Sequence, residues 1–95
     1  MGEIKYDLQY HPKILSHDLR KIDNKSRGII QRAIESKLSI SPEIYSESLK
    51  QDLRGLRKMR VGNYRIIFYI KSREIFIMII AHRSSVYDAI RRCTR

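Results

Sequence analysis

Six residues in the C-terminal half have types and spacings that suit chemistry on an anion: Lys58, Arg60, Arg65, His82, Arg83 and Tyr87. Gly62-Asn63 stands between Val61 and Tyr64, and Gly-Asn suits a two-residue hairpin turn because both residues tolerate positive φ. With that turn, Val61 opposes Tyr64 and Arg60 lies directly across from Arg65. Like charges directly opposite on one sheet face are destabilising, so the pattern calls for an anion to neutralise them. Lys58 shares the face of Arg60. A second two-residue turn at Ser72-Arg73 sets Lys71 against Glu74 and brings His82 to that same face, beside Arg65, with Arg83 and Tyr87 just beyond. Singly, each residue has a plainer explanation: a solvated strand arginine, a packing histidine, a core tyrosine. Together they form a set of donors with no carboxylate among them except Asp88. That set suits a phosphodiester, whose nonbridging oxygens accept from guanidinium forks and whose leaving 5′-oxygen needs a proton.

The elements that must position these groups are legible in the hydrophobic periodicity. Ile4, Tyr6, Leu8 and Tyr10 alternate with Lys5, Asp7 and Gln9 ahead of Pro12, which predicts a half-buried strand over residues 3–10. Leu15, Leu19 and Ile22 follow at helical spacing and stop at Asp23-Asn24, whose side chains suit the cap of a second helix. In that helix Ile29, Ile30, Ala33, Ile34 and Leu38 form one apolar stripe, with Lys25, Arg27, Arg32 and Glu35 left to solvent. Residues 13–38 are thus expected as a helical hairpin, and residues 39–48 as a loop. Strands are expected at about 56–61, 64–70 and 75–82, forming an antiparallel meander. Its inward set is Tyr64, Ile66, Phe68 and Ile70 with Ile75, Ile77 and Ile79, and a short helix begins at Ser84 or Ser85. The expected architecture is α+β, β-α-α-β-β-β followed by α, with the helical hairpin on a mostly antiparallel four-stranded sheet. In this register Ile67, Tyr69, Phe76, Met78 and Ile80 share the face of Arg65. They stay exposed unless the segment from Ser85 onward folds back over them.

The chain has 95 residues, 42% of them hydrophobic, which is enough for one small core and a single domain. Lys and Arg number 20 against 10 Asp and Glu, a formal charge of +10. Residues 1–50 hold nine basic and seven acidic side chains, and residues 51–95 hold eleven and three, so the excess is +2 in the first half and +8 in the second. A polyanion is the natural partner, nucleic acid before a membrane surface. Cys93 is the single cysteine, and with three scattered histidines (His11, His17, His82) it offers neither a disulfide nor a metal framework. A lone thiol, a charged N-terminus and the lack of a long apolar run point to a cytoplasmic protein.

The run Arg60-Val-Gly-Asn-Tyr64-Arg65-Ile-Ile-Phe-Tyr, followed about a dozen residues later by His82-Arg83-Ser-Ser-Val86-Tyr87, resembles the RelE/ParE superfamily of toxin–antitoxin toxins. The likeness is specific over residues 54–88 and elsewhere rests on the order strand, helix, helix. It implies a RelE-like messenger-RNA interferase of microbial RNase fold, which cleaves mRNA in the ribosomal A site and is silenced by an acidic, RelB-like antitoxin in a hetero-oligomer. Carried over by position, Arg65 matches the arginine that stabilises the transition-state phosphate. Arg83 matches a second arginine, and Tyr87 the tyrosine that stacks on or orients the scissile nucleotide. Lys58 and Arg60 match basic, RNA-binding positions on the preceding strand. Leu56 and Ala81 stand where the best-studied branch carries further basic residues. The segment Glu47-Ser-Leu-Lys-Gln-Asp-Leu-Arg-Gly resembles one that supplies a glutamate base in the YoeB-like branch, which makes Glu47 a candidate.

The chemistry so implied needs no cofactor: the ribose 2′-hydroxyl attacks the adjacent phosphorus, giving a 2′,3′-cyclic phosphate and a free 5′-hydroxyl, a route open to RNA alone. Arginine is too weak an acid to give up a proton, so Arg83 is read as a phosphate ligand and His82 as the proton donor. A ParE-like inhibitor of DNA gyrase that cuts nothing shares the fold and is the principal alternative. It has no use for a phosphate-sized cluster of donors. A third reading keeps the basic face as an RNA-binding module without catalysis.

Overall fold

The computed structural model describes residues 5–49 and 55–93. Five strands form one sheet: β1 (Asp7–Tyr10), β2 (Glu47–Ser48), β3 (Arg57–Val61), β4 (Tyr64–Lys71) and β5 (Glu74–His82), in the order β1-β5-β4-β3-β2. All neighbours are antiparallel except β1, which runs parallel to β5. The fifth strand is β2, a two-residue edge piece within the segment expected as a loop. Arg57 holds it there, donating from Nε to Ser46 Oγ at 2.8 Å and from Nη1 to Ser48 Oγ at 3.0 Å. The first strand is shorter than its alternation implied. It begins at Asp7, residues 5 and 6 are not strand, and residues 3–4 lie outside the described residues.

The helical hairpin is present, with a first arm tighter and looser by turns than a regular helix. A π turn (Ile14–Asp18) passes into a 3₁₀ turn (Leu19–Lys21), and then α1 (Asn24–Ala33) continues as a π turn (Ile34–Leu38). Asp23 caps α1 through its carboxylate, which accepts from Ser26 N at 3.1 Å. One core lies between this hairpin and the sheet, built from Ile14, Ile22, Ile30, Ile34 and Leu38 against Met59, Ile66, Phe68, Ile75, Ile77 and Ile80. On the opposite face, α2 (Val86–Arg92) folds back over the sheet and closes a second, smaller cluster of Leu56, Ile67, Ile79, Val86 and Ile90. The return of the C-terminal segment buries Ile67 and Ile79. Tyr69 and Phe76, stacked at 4.9 Å, remain half-buried at its margin.

Both turns form as read. In the first, Gly62 takes a φ of 59°, and Arg60 pairs with Arg65 across it. In the second, Ser72 takes a φ of 57°, and Lys71 pairs with Glu74. Between them β5 departs from strict alternation. Phe68 pairs with Ile77 but Ile67 pairs with Ile79, so Met78 is an extra residue, a β-bulge. Everything beyond it is turned by one position. Ile80 faces the hairpin core and Ile79 the α2 cluster, the reverse of the expected assignment, because a one-residue shift exchanges the two faces of a strand.

Candidate functional site

The face that carries Arg65 is built outward from the first hairpin. Lys58 and Arg60 on β3 lie opposite Ile67 and Arg65 on β4, and Arg65 lies opposite Ala81 on β5. Ile67 and Ile79 are covered by α2, and toward the turn, where the two arginines oppose each other, Arg60 is exposed. The Arg65 guanidinium is folded against the turn, with Nη1 donating to the carbonyls of Gly62 and Tyr64, each at 3.0 Å. Carbonyl oxygens there relieve part of the repulsion between the two guanidinium groups, as an arriving phosphate would more fully.

Beside this pair lies a three-residue constellation from three elements. Lys58 Nζ donates to Tyr87 Oη at 3.2 Å, stands 5.8 Å from the centre of the Tyr87 ring, and is 4.0 Å from Glu47 Oε2. Each element has a local reason for its place. Glu47 is paired with Lys58 in the β2–β3 ladder, which Arg57 pins, and Tyr87 is in the first turn of α2, which Val86 and Ile90 anchor to the sheet. The Lys58 side chain is only 16% exposed and Glu47 63%, so the ammonium is set back while the carboxylate faces solvent. Tyr87 is 50% exposed. A Tyr87 hydroxyl that accepts from an ammonium keeps its own hydrogen to donate. Arg83 is exposed, and its backbone N donates to Asn63 O at 2.7 Å, fixing the loop after β5 to the hairpin turn.

His82 is elsewhere. The bulge at Met78 sets it opposite Tyr64, on the hairpin side of the sheet, where the two rings meet edge to face at 5.7 Å. The expectation that His82 shares the Arg65 face is therefore corrected: two-residue turns fix the strand ends, but a single extra residue between them moves every later side chain across the sheet. Its Nδ1 accepts from Ser84 N at 3.1 Å and lies 2.8 Å from Ser84 Oγ, so in the neutral ring the proton is on Nε2. The structure thus brings together Glu47, Lys58, Arg60, Arg65 and Tyr87, with Arg83 at the rim, and leaves His82 on the reverse side. Leu56, which stands where a related branch has a basic residue, is buried under α2. The one contributor the sequence reading passed over is Arg57, whose place beside a Ser-x-Ser pair eleven and nine residues away was the available signal. Among the described residues no three of His, Cys, Asp and Glu gather as metal ligands, and no helix is long and apolar enough to cross a membrane.

An α+β fold of this topology, with a basic open face beside its hairpin turn, is the fold of small toxins of the RelE/ParE superfamily. Residues 9–87 match the family described as the ParE toxin of the type II toxin–antitoxin system parDE. The chain belongs to this family and is a toxin of a type II toxin–antitoxin system. Among solved structures it is similar to a chain of the RelBE2 toxin–antitoxin complex of Mycobacterium tuberculosis, at 21% identity and a TM-score of 0.77, covering 87% of this chain and 97% of that one. It is likewise similar to a chain of the RelB–RelE antitoxin–toxin complex of Methanococcus jannaschii, at 24% identity and a TM-score of 0.64, covering 85% and 96%. A third similarity is to the DinJ–YafQ toxin–antitoxin complex of Escherichia coli, at 12% identity and a TM-score of 0.56, covering 88% and 99%. At these identities the likeness is one of fold. A comparison with curated proteins found no match.

Proposed function

We propose that the chain is an mRNA interferase: an endoribonuclease that cuts translated message, at the ribosomal A site, by attack of a ribose 2′-hydroxyl on the neighbouring phosphorus. The observation that carries this is the directly opposed pair Arg60 and Arg65 on an open sheet face, with the Glu47, Lys58 and Tyr87 group beside it. In this reading Arg60, Arg65 and Arg83 hold the phosphate and stabilise the charge that develops on its oxygens. Glu47 takes the proton from the 2′-hydroxyl. Tyr87, with the Lys58 ammonium hydrogen-bonded to its oxygen, gives a proton to the leaving 5′-oxygen. His82, on the reverse face, is assigned no proton transfer. Atoms balance without a co-reactant: the O2′–P bond forms, the P–O5′ bond breaks, one proton passes from the 2′-hydroxyl to Glu47, and one passes from Tyr87 to O5′.

A second reading is favoured by the family description itself, which names ParE: a non-nucleolytic inhibitor of DNA gyrase. One experiment separates the two. Purified toxin is added to a translation reaction, the message is mapped by primer extension, and supercoiling by DNA gyrase is assayed in parallel. The interferase reading expects discrete new 5′ ends in the message and unaffected supercoiling. Intact message with arrested supercoiling would establish the other.

A further inference from the structure

The chain's three histidines, scattered in sequence, converge on one groove. It lies along the β5 edge beyond β1, between the first helical arm and α2, and holds about 990 Å³. Lys13, Lys21 and Arg92 line it together with His11, His17 and His82, and among the described residues Asp18 is its sole carboxylate. That carboxylate is already engaged on both oxygens, Oδ1 with His17 Nδ1 at 3.0 Å and Oδ2 accepting from Ile80 N at 2.9 Å. Two of the histidines, His11 and His82, are held as donors, while His17 gives its Nδ1 proton to Asp18. His11 Nδ1 accepts from Lys13 N at 3.1 Å, as His82 Nδ1 accepts from Ser84 N, so the proton of each neutral ring is on Nε2. Exposed cations and two imidazole donors stand here beside an apolar lining of Ile22, Met78, Ile79 and Ile80, and with the acid spent internally the polar part suits phosphate oxygens.

Its position connects it to the arginine face. Ala81 lines the groove and is paired directly with Arg65, and α2 forms a wall of the groove through Ala89 and Arg92 while presenting Tyr87 to Lys58 on its other side. A chain of nucleotides leaving Arg65 past Arg83 and the end of β5 therefore enters the groove. The alternative occupant is an acidic peptide added as a strand to the β5 edge. That edge is poorly placed to receive one: β1 occupies it as far as Ile77, beyond it Ile80 N is taken by Asp18, and His82 O accepts from Ser85 N.

We propose that this groove binds the single-stranded RNA flanking the scissile bond, through its phosphates, extending the site around the β5 edge. The proposal rests on the interferase reading for the identity of the strand, and its test is independent of cleavage. The probes are fully 2′-O-methylated oligoribonucleotides of about 4 and about 12 nucleotides, which lack the attacking hydroxyl and remain uncut. The purified toxin is expected to bind the longer probe at least tenfold more tightly. The variant Lys13→Ala/Lys21→Ala/Arg92→Ala should lose that gain and flatten the slope of log Kd against log salt by about 2, since each phosphate neutralised on a single strand contributes about 0.7. Should the triple variant melt early, each single exchange is expected to flatten the slope by about 0.7. Arg65→Ala should weaken both probes and keep the difference between them. An unchanged length gain and slope in the variants overturns the groove, as does a variant that loses an acidic antitoxin segment while holding RNA. A toxin that binds the long probe through the groove yet leaves translated message whole upholds the groove and refutes the nuclease. Cleavage with a groove indifferent to neutralisation does the reverse.

Discussion

Arg60 and Arg65 face each other across a two-residue turn at a distance that the sheet ladder imposes, and among the described residues Arg65 is offered carbonyl oxygens, those of Gly62 and Tyr64, rather than a carboxylate. A surface built for stability alone would pair such cations with acids, and among the described residues Lys58 has Glu47 in this role while Arg60 and Arg65 have none. Arg83 extends the cationic rim from a loop whose position is set by its backbone bond to Asn63, so the side chain is dispensable for the fold. Arg83→Ala is accordingly expected to abolish message cleavage and growth arrest with an unchanged thermal melt; full toxicity from a well-folded variant contradicts the site. Tyr87→Phe removes the hydroxyl held by Lys58 and should slow cleavage by something like ~100-fold or more while RNA affinity is kept. His82→Gln should leave the cleavage rate near that of the parent, and a loss of two orders of magnitude there would return the proton donor to the histidine. A separate residue-scale effect belongs to the cap of α1. The Ser26 hydroxyl and backbone N–H hold the Asp23 carboxyl below its ordinary value. A depressed acid stabilises the fold above its unfolded value and ceases to do so as pH falls through its folded value. Asp23→Ala should therefore lower the thermal midpoint at neutral pH, and the gap between variant and parent should close in acid.

At the scale of elements, α2 is the piece that turns a flat sheet into a site. Its buried side, Val86 and Ile90, seals Leu56, Ile67 and Ile79, and its first turn brings Tyr87 over Lys58. Ile90→Ala should cost about 2–4 kcal/mol and reduce cleavage beyond what the lost stability explains, because Tyr87 loses its seat. Phe68→Ala, in the other core, should cost about 3–5 kcal/mol with cleavage unaffected in the fraction that remains folded. Denaturant titration beside the cleavage assay distinguishes the two. Most of this layer was legible in the sequence: the 3.6-residue stripe of α1, the Gly62-Asn63 turn and the arginine pairing it forces, and the short C-terminal helix, whose return over the sheet the pattern left open. What escaped was β2, since two residues cannot display a period and its place depends on Arg57 reaching back to Ser46 and Ser48. The bulge escaped as well. Ile75 to Ile80 is apolar at every position, so the pattern carries no mark of where alternation slips, and His82 crossed the sheet unseen.

Taken whole, the molecule carries a charge of +10, and two of its basic surfaces, the arginine face and the histidine-lined groove, meet at the end of β5. Such a field attracts a polyanion from a distance and is screened by salt, so affinity for RNA should fall steeply as ionic strength rises. The most direct measurement of the central claim is primer extension on a message translated in the presence of the purified toxin and of its Arg65→Ala variant, with the chemistry of the new 3′ ends determined. The account predicts discrete cuts that leave a 2′,3′-cyclic phosphate with the parent protein and few or none with the folded variant. Intact message under conditions where the parent protein arrests growth, or equal cutting by both proteins, would contradict it.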